Sequence, residues 1–525
     1  MSIRLVGVSV AALLAATGCD SGTELPGDRG ADAVAPKEVT AAQLQAAVKD
    51  PRVRAFYESR GWKAAWKEDQ ARELTEALRE APRHGMEAVQ FLKEGDAARD
   101  PVAREAALSE GAVSYAAALS NGRIDPKTLW KEYSVPMPKV DVIAGLNQAI
   151  AQGNVGEWLA RLAPQDEEYR ALSDAFVRYS QASKQEAQKI AAGETIKPGQ
   201  KDPRVPQIAD ALRINGYLQD RGQQQPQQQP QQKEGAKEAQ ADPTRYTPAM
   251  AEAVKRLQED YGEDADGVIG TTTLQMLNTG AAERARTLAI NLERRRWLER
   301  QPPKTRIDVN TAAAFLSYWR DGNHSDARRV VVGQPEWETP PLGSPIVKLV
   351  ANPPWNVPES IEQDELLAKG AAYLARNGFS RKANGRLVQE PSPKSALGEV
   401  KFDMDNPHAI YLHDTPAKAL FATNDRHSSH GCVRVHNAVQ FARLLARDEG
   451  VLEEFDKGLL SREETHVPIQ NKIPVRLLYH TAYALNGRVL FRTDPYGWDE
   501  DLARALGMQG QERQQLRTHV SIIGP

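Results

Sequence analysis

Hydrophobic positions in the first half of the chain recur with the period of a helix. Ala and Leu dominate these positions between residues 41 and 202, and strand-like alternation is scarce there. The pattern predicts a helical scaffold domain over residues 41–202. The helical pattern resumes over residues 280–303 and predicts a helix that packs back on the scaffold. We expect the basic run 294–296 on its solvent-exposed face.

A separate small module with three helical patterns covers residues 203–279. A Gly-containing turn precedes the third pattern, and Thr271 is a candidate cap for that helix. Residues 223–240 consist almost entirely of Gln, Pro, Lys, Glu and Ala, and we predict a disordered loop because such a segment cannot bury a core. The apolar positions of the first two helices are Val205, Ile208, Leu212, Met250, Val254, Leu257 and Tyr261.

From residue 304 the hydrophobic period changes to two, which predicts a mainly β domain over residues 304–495. The pair Asn486-Gly487 lies between two alternating runs and indicates a β-hairpin. We expect Trp355 to pack in a core and residues 496–525 to form a C-terminal tail. The predicted fold class is therefore multidomain α+β. The predicted strands cover residues 306–309, 313–319, 329–332, 346–350, 409–412, 475–479 and 489–492.

An insertion over residues 359–405 interrupts the strand pattern. Residues 361–377 have a helical pattern, and residues 378–395 are polar and typical of a loop. Because the insertion comes directly before a further strand and the candidate chemistry, we predict that it caps a groove.

The N-terminus has the pattern of an export signal over residues 1–18. Arg4 supplies positive charge, and residues 5–16 form an apolar run shorter than the ~20 residues that span a bilayer. Small residues then precede Cys19, as in bacterial lipoprotein signals in which the cysteine is lipidated. The alternative is an ordinary signal peptide with a chance cysteine. Residues 19–40 are rich in Gly, Asp, Pro and Ala and predict a flexible tether.

Composition excludes two broad classes of function. The formal net charge is -3, which argues against a general electrostatic affinity for nucleic acid. A mean hydropathy of -0.56 excludes a membrane protein with many spans. Hydrophobic residues make up 41% of the chain, which is enough to build folded cores.

Cys432 is the candidate nucleophile, because Cys19 is the only other cysteine in the sequence and is consumed at the lipid anchor. His413 follows the apolar run 409–412, and a strand end is a rigid place for a general base. His430, two residues before the cysteine, is a second candidate whose ring could face the same pocket.

Neighbouring residues could support a thiolate and an oxyanion. Arg434 lies two residues after Cys432, on the same side of an extended backbone, and could hold a carboxylate. Gly431 permits close approach, so nearby amides could form an oxyanion hole. A helix that begins near Asn437 would favour the thiolate through its positive end.

Structural alternatives apply to the same residues. Cys432 could be a small buried hydrophobe, and His430 could merely brace the turn. A zinc site is disfavoured, because the spacing is irregular and paired cysteines are lacking. His408 and His427 are expected to be solvent-facing or local caps, as is His436. The potential zinc ligands are His413, His427, His430, Cys432 and His436.

The block formed by His413 and residues 429–434 (Ser-His-Gly-Cys-Val-Arg) resembles the catalytic signature of the L,D-transpeptidases, the YkuD domain. Residues 352–358 (Asn-Pro-Pro-Trp-Asn-Val-Pro) and 411–416 (Tyr-Leu-His-Asp-Thr-Pro) resemble the large YcbB-type members. Those members combine a helical scaffold, a peptidoglycan-binding domain and a capping insertion. The module at residues 203–279 is similar to the three-helix peptidoglycan-binding domain. The Gln/Pro loop departs from the family pattern, as does His430, where the YcbB type often has a small residue.

The resemblance implies roles for each matching residue. Cys432 would be the acylated nucleophile and His413 the general base and acid. The attacked carbonyl would belong to the L-centred diamino acid at the third position of a peptidoglycan stem tetrapeptide. D-Ala would leave, and an amine of a neighbouring stem would form a 3→3 crosslink. The residues that would shape the site are Tyr411, His430, Gly431 and Arg434.

The same resemblance implies no metal or organic cofactor and acylation by carbapenem-type β-lactams. Expected partners are peptidoglycan stem peptides, a membrane reached through the lipid anchor on Cys19, and enzymes of wall synthesis. The expected location is the periplasm, at the inner or the outer membrane.

Other functions remain open at this stage. The same site could act as an L,D-carboxypeptidase or attach a protein to the wall. A catalytically silent, lipid-anchored wall tether is a candidate of another class, and a cysteine peptidase is a third. The joint presence of Cys432, His413 and Arg434 favours an enzyme, and the wall-binding module argues against a protein-directed peptidase.

Overall fold

The structure is a computed structural model, and it describes residues 38–86, 89–92, 100–184, 188–218 and 242–508. The predicted signal segment, Cys19, nearly all of the predicted tether and the predicted Gln/Pro loop lie outside the described residues. Within those described ranges, every helix is too short or too polar to cross a membrane.

The N-terminal region is helical, as its period predicts. Aspartate side chains cap the N-termini of several of its helices, because a carboxylate accepts hydrogen bonds from the backbone N–H groups that the first turn leaves unpaired. Asp50, Asp100, Asp141 and Asp166 do so here. The helices are α1 Ala41–Ala47, α2 Pro51–Ser59, α3 Glu68–Arg79, α4 Pro101–Asn121, α5 Val142–Gln152, α6 Val155–Leu162 and α7 Glu167–Ala182.

The described residues of the small module form three helices: α8 Val205–Ile214, α9 Pro248–Tyr261 and α10 Thr271–Asn278. The predicted apolar faces meet in one core, in which Ile208 and Leu257 are fully buried. One detail of the prediction is wrong, because Gly270 occupies the cap of α10 and Thr271 is already helical.

Helix α11, Ala281–Arg296, packs against α7. Its basic run was expected on a solvated face, and the structure contradicts this. Arg294 and Arg296 are 4% and 1% exposed, because α11 is enclosed between the scaffold and the C-terminal part of the chain. Each guanidinium of the run 294–296 has a carboxylate partner, which offsets the cost of burying its charge. The ion pairs are Arg294–Asp499, Arg295–Asp166, Arg295–Glu168 and Arg296–Glu293.

The strands of the C-terminal half build one large sheet with the order β10-β3-β11-β9-β8-β4-β12-β1-β2. A further pairing of β2 with β3 closes this sheet on itself. The strands are β1 Arg306–Asn310, β2 Phe315–Arg320, β3 Asn323–Gly333, β4 Gly343–Ala351, β5 Trp355–Asn356, β6 Phe379–Arg381, β7 Leu387–Gln389, β8 Val400–Met404, β9 Leu412–His413, β10 His427–Ser429, β11 Val433–Val435, β12 Thr465–Leu478, β13 Ala482–Leu485 and β14 Arg488–Phe491.

Two strand predictions need correction. The apolar run 409–412 predicts a strand, but Ala409 has a φ of 54° and only Leu412 joins β9. The Asn406 side chain accepts the N–H groups of His408 and Ile410, so this run forms a tight loop. Strand β12 begins ten residues before the predicted Val475, at Thr465, and it contains a bulge that disturbs the period of two.

The capping insertion has its own small core around Trp355, which is fully buried as predicted. The predicted helix over 361–377 is broken into α12 Glu359–Ile361, a π turn Glu362–Leu366, a 3-10 turn Leu367–Lys369 and α13 Ala371–Arg376. Gly370, with a φ of 80° and a ψ of 162°, ends the 3-10 turn and separates it from α13. The segment expected to be a loop contains β6 and β7, and β7 pairs with both β6 and β5 in a separate three-stranded sheet.

Two features tie the catalytic half to the scaffold. The predicted hairpin is confirmed as β13 and β14, with Asn486 and Gly487 both at positive φ in the turn. It stays outside the large sheet, and Ala482 and Phe491 join the scaffold core. The segment expected to be a tail contains α16, Trp498–Ala505, which packs on α11. Helices α14, Ala438–Asp448, and α15, Leu452–Ser461, complete the domain.

Candidate active site

Cys432 lies in the turn between β10 and β11 and is 5% exposed. Gly431 precedes it with a φ of 104°, a conformation that L side chains rarely adopt. The Ser429 hydroxyl donates to the Cys432 carbonyl at 2.6 Å and closes the turn. The Thr339 hydroxyl donates to the Gly431 carbonyl at 2.8 Å and fixes the turn to the chain after β3.

Strand register places His413 beside β11, the strand that follows Cys432. β11 runs parallel to β9, with Arg434 opposite His413 and Val433 opposite Leu412. Side chains alternate along a strand, and paired residues share a face. Arg434 therefore shares a face with His413, and Cys432 precedes Arg434 by two residues, while Val433 and Leu412 are buried on the other face.

His413 is fully buried, and its Nδ1 donates to the Asp414 carbonyl. A carbonyl only accepts hydrogen bonds, so this contact assigns the proton to Nδ1 and the lone pair to Nε2. The Asp414 carboxylate accepts from the Glu399 N–H at 3.1 Å and from Lys418. Gly398 makes room for that carboxylate, since a Cβ at this position would lie 2.3 Å from Asp414 Oδ2.

Tyr411 connects the base and the nucleophile. Its hydroxyl forms a side-chain hydrogen bond with Cys432, and its ring lies 5.7 Å from the His413 ring, edge to face. Burial, together with the adjacent Cys432, raises the pKa of Tyr411 well above its usual value. Tyr411 is therefore a neutral hydrogen-bond donor at physiological pH. Lys401 Nζ lies 4.3 Å from the centre of the Tyr411 ring.

The sulfur is a thiol rather than a thiolate in the resting site. Burial raises the pKa of Cys432 to about 11, although Tyr411, Lys401 and Arg434 act in the opposite direction. We expected the positive end of a helix near Asn437 to favour the thiolate. Helix α14 does begin next to Asn437, at Ala438, and burial is the largest influence on the pKa of the thiol, which it raises. A general base must therefore remove the proton during the reaction.

Arg434 is 1% exposed on the central strand β11. Burial lowers the pKa of its guanidinium to about 10, and the nearby Cys432 and Glu365 oppose this effect. The guanidinium is still charged at neutral pH. It is a fixed positive charge beside the sulfur.

The structure directs the His430 side chain toward the capping insertion. Its ring lies 5.1 Å from Trp337, edge to face, and its Nε2 lies 2.5 Å from Glu365 Oε1. Sequence patterns gave no sign of Glu365 or Trp337, because one lies in the insertion and the other in a loop after β3. Only the folded chain brings them to the motif.

The amides expected to form an oxyanion hole are partly occupied. The Gly431 N–H donates to the Ser429 hydroxyl at 3.3 Å, and the Val433 N–H donates to the Tyr411 carbonyl at 3.1 Å. The first contact closes the turn around Cys432, and the second pairs β11 with the chain before β9. Gly431 thus contributes its backbone conformation to the site.

The remaining histidines have local contacts. His427 Nδ1 and Nε2 lie within hydrogen-bond distance of Asp425 and of the Thr311 carbonyl, and the His436 ring lies 5.1 Å from Phe421. In the part of the chain that the structure describes, no group of three or more potential ligands is arranged to hold a metal ion.

Comparison with protein-family models divides the chain into three matched regions. Residues 304–452 match the L,D-transpeptidase catalytic domain, YkuD. Residues 201–277 match a "Putative peptidoglycan binding domain", and residues 51–176 match a scaffold domain. The chain therefore carries a YkuD L,D-transpeptidase catalytic domain together with a peptidoglycan-binding domain and a scaffold domain.

A curated relative supports this assignment. A Haemophilus influenzae protein named "Putative L,D-transpeptidase" is 35% identical over 219 residues, which cover 37% of this chain and 45% of that protein. The chain thus spans less than half the length of this relative.

Solved structures with some likeness include the E. faecium L,D-transpeptidase catalytic domain acylated by ertapenem, at 14% identity and a TM-score of 0.20. That match covers 34% of this chain and 99% of the other. An L,D-transpeptidase from Xylanimonas cellulosilytica is 15% identical with a TM-score of 0.18, covering 55% of this chain and 98% of that one.

Proposed function

We propose that this protein is a cysteine-dependent L,D-transpeptidase that forms 3→3 crosslinks between peptidoglycan stem peptides. The observation that carries the proposal is that Tyr411 lies against both residues, with its hydroxyl hydrogen-bonded to Cys432 and its ring edge to face with the His413 ring. The catalytic-domain and peptidoglycan-binding matches supply the substrate class.

The first step acylates the enzyme. His413 Nε2 takes the thiol proton while Sγ attacks the carbonyl of the L-centred diamino acid at the third position of a stem tetrapeptide. The bond to D-Ala then breaks, and His413 returns the proton to the leaving amine. The product is a thioester on Cys432, with Tyr411 hydrogen-bonded beside the sulfur.

The second step transfers the acyl group. An amine of a neighbouring stem attacks the thioester carbonyl, and His413 removes a proton from that amine. The bond to sulfur breaks, the thiol is restored and an amide crosslink forms. Water in place of the amine would give L,D-carboxypeptidase activity, and an amine on a protein would give attachment to the wall.

We also propose that the chain works at the periplasmic cell wall, anchored through lipidated Cys19. The peptidoglycan-binding domain supports a wall location. Cys19 lies outside the described residues, so sequence supports the anchor. Labelling with a palmitate analogue in the wild type and in Cys19→Ala would test it.

The proposed activity predicts a covalent intermediate that intact-protein mass spectrometry would detect. After incubation with disaccharide-tetrapeptide, the wild type should gain an adduct, release D-Ala and yield crosslinked dimer. Cys432→Ala should do none of these. Tripeptide without dimer would indicate a carboxypeptidase, and folded protein without adduct or product would favour a silent wall tether.

Acylation by a carbapenem gives a second, independent readout. The wild type should gain the mass of the intact antibiotic, and Cys432→Ala should not. His413→Ala should retain the thiol but acylate far more slowly, because the sulfur is protonated at neutral pH. Equal rates in His413→Ala and the wild type would contradict the role of His413 as base.

A further inference from the structure

We propose that Glu365 of the capping insertion is a substrate-binding residue that accepts a primary ammonium group of the peptide substrate. This inference rests on the function proposed above and adds a recognition element to the same site. The ammonium belongs to the diamino acid class of stem residue, which carries a side-chain amine.

Glu365 reaches the catalytic motif from outside the large sheet. It lies in the π turn Glu362–Leu366 of the capping insertion. Its Oε1 is 2.5 Å from His430 Nε2, and the two side chains are 19% and 6% exposed. Since His430 is two residues before Cys432, this contact joins the insertion to the catalytic motif.

The second carboxylate oxygen is the informative atom. Glu365 Oε2 is buried and has no hydrogen-bond partner among the residues that the structure describes. Buried polar atoms are nearly always paired, and an exception at a binding site indicates a donor that a ligand supplies. One oxygen of Glu365 is therefore held by the protein, and the other is the candidate acceptor for a substrate ammonium.

The charge of the surroundings decides which donor fits. A carboxylate binds a cationic N–H donor more strongly than a neutral one. Arg434 and Lys401 are the cationic side chains at the thiol, so an acidic group of the substrate would be drawn to them. Glu365 supplies the opposite charge on the side of the cap. A stem peptide with a side-chain amine has the matching ammonium.

A purely structural role for Glu365 makes a different prediction. If the contact with His430 only holds the cap in place, loss of the carboxylate would slow all substrates equally. If Glu365 binds an ammonium, the loss would matter only for substrates that carry one. Comparing a free and an acetylated amine therefore separates the two roles.

The matched control is Glu362→Gln. Glu362 lies in the same turn, and its carboxylate pairs with Arg381 inside the cap. The change in charge and shape is identical to that of Glu365→Gln, but the carboxylate that is lost pairs with Arg381 rather than with His430. Glu362→Gln should keep wild-type rates with every substrate.

The experiment uses the full chain and measures D-Ala release from disaccharide-tetrapeptide, with hydroxylamine to intercept the thioester. Two donors are compared, one with a free side-chain amine and one with that amine acetylated. Glu365→Gln should lower kcat/KM for the free-amine donor about tenfold or more, as expected for loss of a charge-assisted hydrogen bond. The acetylated donor should react equally with Glu365→Gln and the wild type.

A second arm measures the KM of a free-amine acceptor at saturating donor. A rise of about tenfold in Glu365→Gln, without a change in the donor arm, would assign the ammonium to the acceptor. An equal loss for both donors would overturn the proposal in favour of a structural contact, as would no loss in either arm. No D-Ala release by the wild type would refute the proposed function and this inference with it.

Discussion

At the scale of single residues, burial sets the chemistry of the site. The same enclosure that holds Cys432 and His413 in one geometry also keeps the sulfur protonated. In the proposed mechanism the resting thiol and the general base are separate groups, so the proton moves from Cys432 to His413 during the reaction. A site of this kind protects the nucleophile from adventitious oxidation, because the thiolate is the reactive form.

The raised pKa of Cys432 predicts how its reactivity depends on pH. Below a pKa of about 11 the thiolate fraction rises about tenfold for each pH unit, so alkylation by iodoacetamide should keep rising between pH 7 and pH 10. The measurement is the rate of carbamidomethylation by mass spectrometry. A plateau below pH 9 would show that the site stabilises the thiolate, contrary to this expectation.

Cys432→Ala should abolish the thioester without unfolding the protein. The substitution removes one sulfur atom from a packed site, which costs about 1 kcal/mol. Thermal unfolding followed by circular dichroism should show a shift of a few degrees at most, alongside complete loss of D-Ala release. Wild-type activity in this variant would exclude Cys432 as the nucleophile.

At the scale of elements, the strand end that carries His413 depends on the loop before β8. Gly398 has a φ of 60°, and its Cα faces the Asp414 carboxylate. Asp414 in turn holds His413 through its carbonyl. The position of the base is thus coupled to a glycine that never contacts it.

Gly398→Ala should therefore impair both stability and catalysis. The added methyl group would clash with Asp414, and the alanine backbone would be held in a left-handed conformation. Together these should lower the free energy of unfolding by about 2 kcal/mol or more. D-Ala release should fall about tenfold or more, because displacing the base slows proton transfer. Gly450→Ala is the control, since it has a φ of 75° and open space around it. Equal effects of the two changes would contradict the argument.

At the scale of the whole molecule, buried ion pairs join the catalytic half to the scaffold. Arg294 of α11 pairs with Asp499 of α16, and the Thr481 hydroxyl donates to the same carboxylate at 2.7 Å. All three residues are buried. The segment after the hairpin therefore contributes to the joint between the two halves.

Asp499→Asn should destabilise the protein by about 3–5 kcal/mol, because it leaves the Arg294 guanidinium buried without a counter-charge. The measurement is chemical denaturation. Asp501→Asn, on the same helix but half-exposed beside Arg504, should change stability by about 0.5 kcal/mol or less. Similar losses in both variants would argue against a structural role for the buried pair.

Deleting residues 223–240 should leave the fold intact. The segment has no apolar face, and the core of the three-helix module is built from residues on either side of it. The melting temperature should stay within a few degrees of the wild type. A large drop would show that the segment makes contacts that its composition does not suggest.

Sequence alone determined what is encoded locally. The change of hydrophobic period separated helical from strand regions, Asn486-Gly487 specified the hairpin, and the signature around Cys432 indicated the catalytic domain. These features depend on residues close together in the chain, where backbone preferences and side-chain alternation act directly.

Tertiary structure alone decided which distant residues meet and what burial does to them. It directed His430 to Glu365, enclosed Arg294 and Arg296, broke the helix of the cap and raised the pKa of the Cys432 thiol. Each outcome depends on strand register and on packing between segments far apart in sequence. Such contacts are fixed by the three-dimensional arrangement of the chain, and a pattern along the sequence carries no record of them.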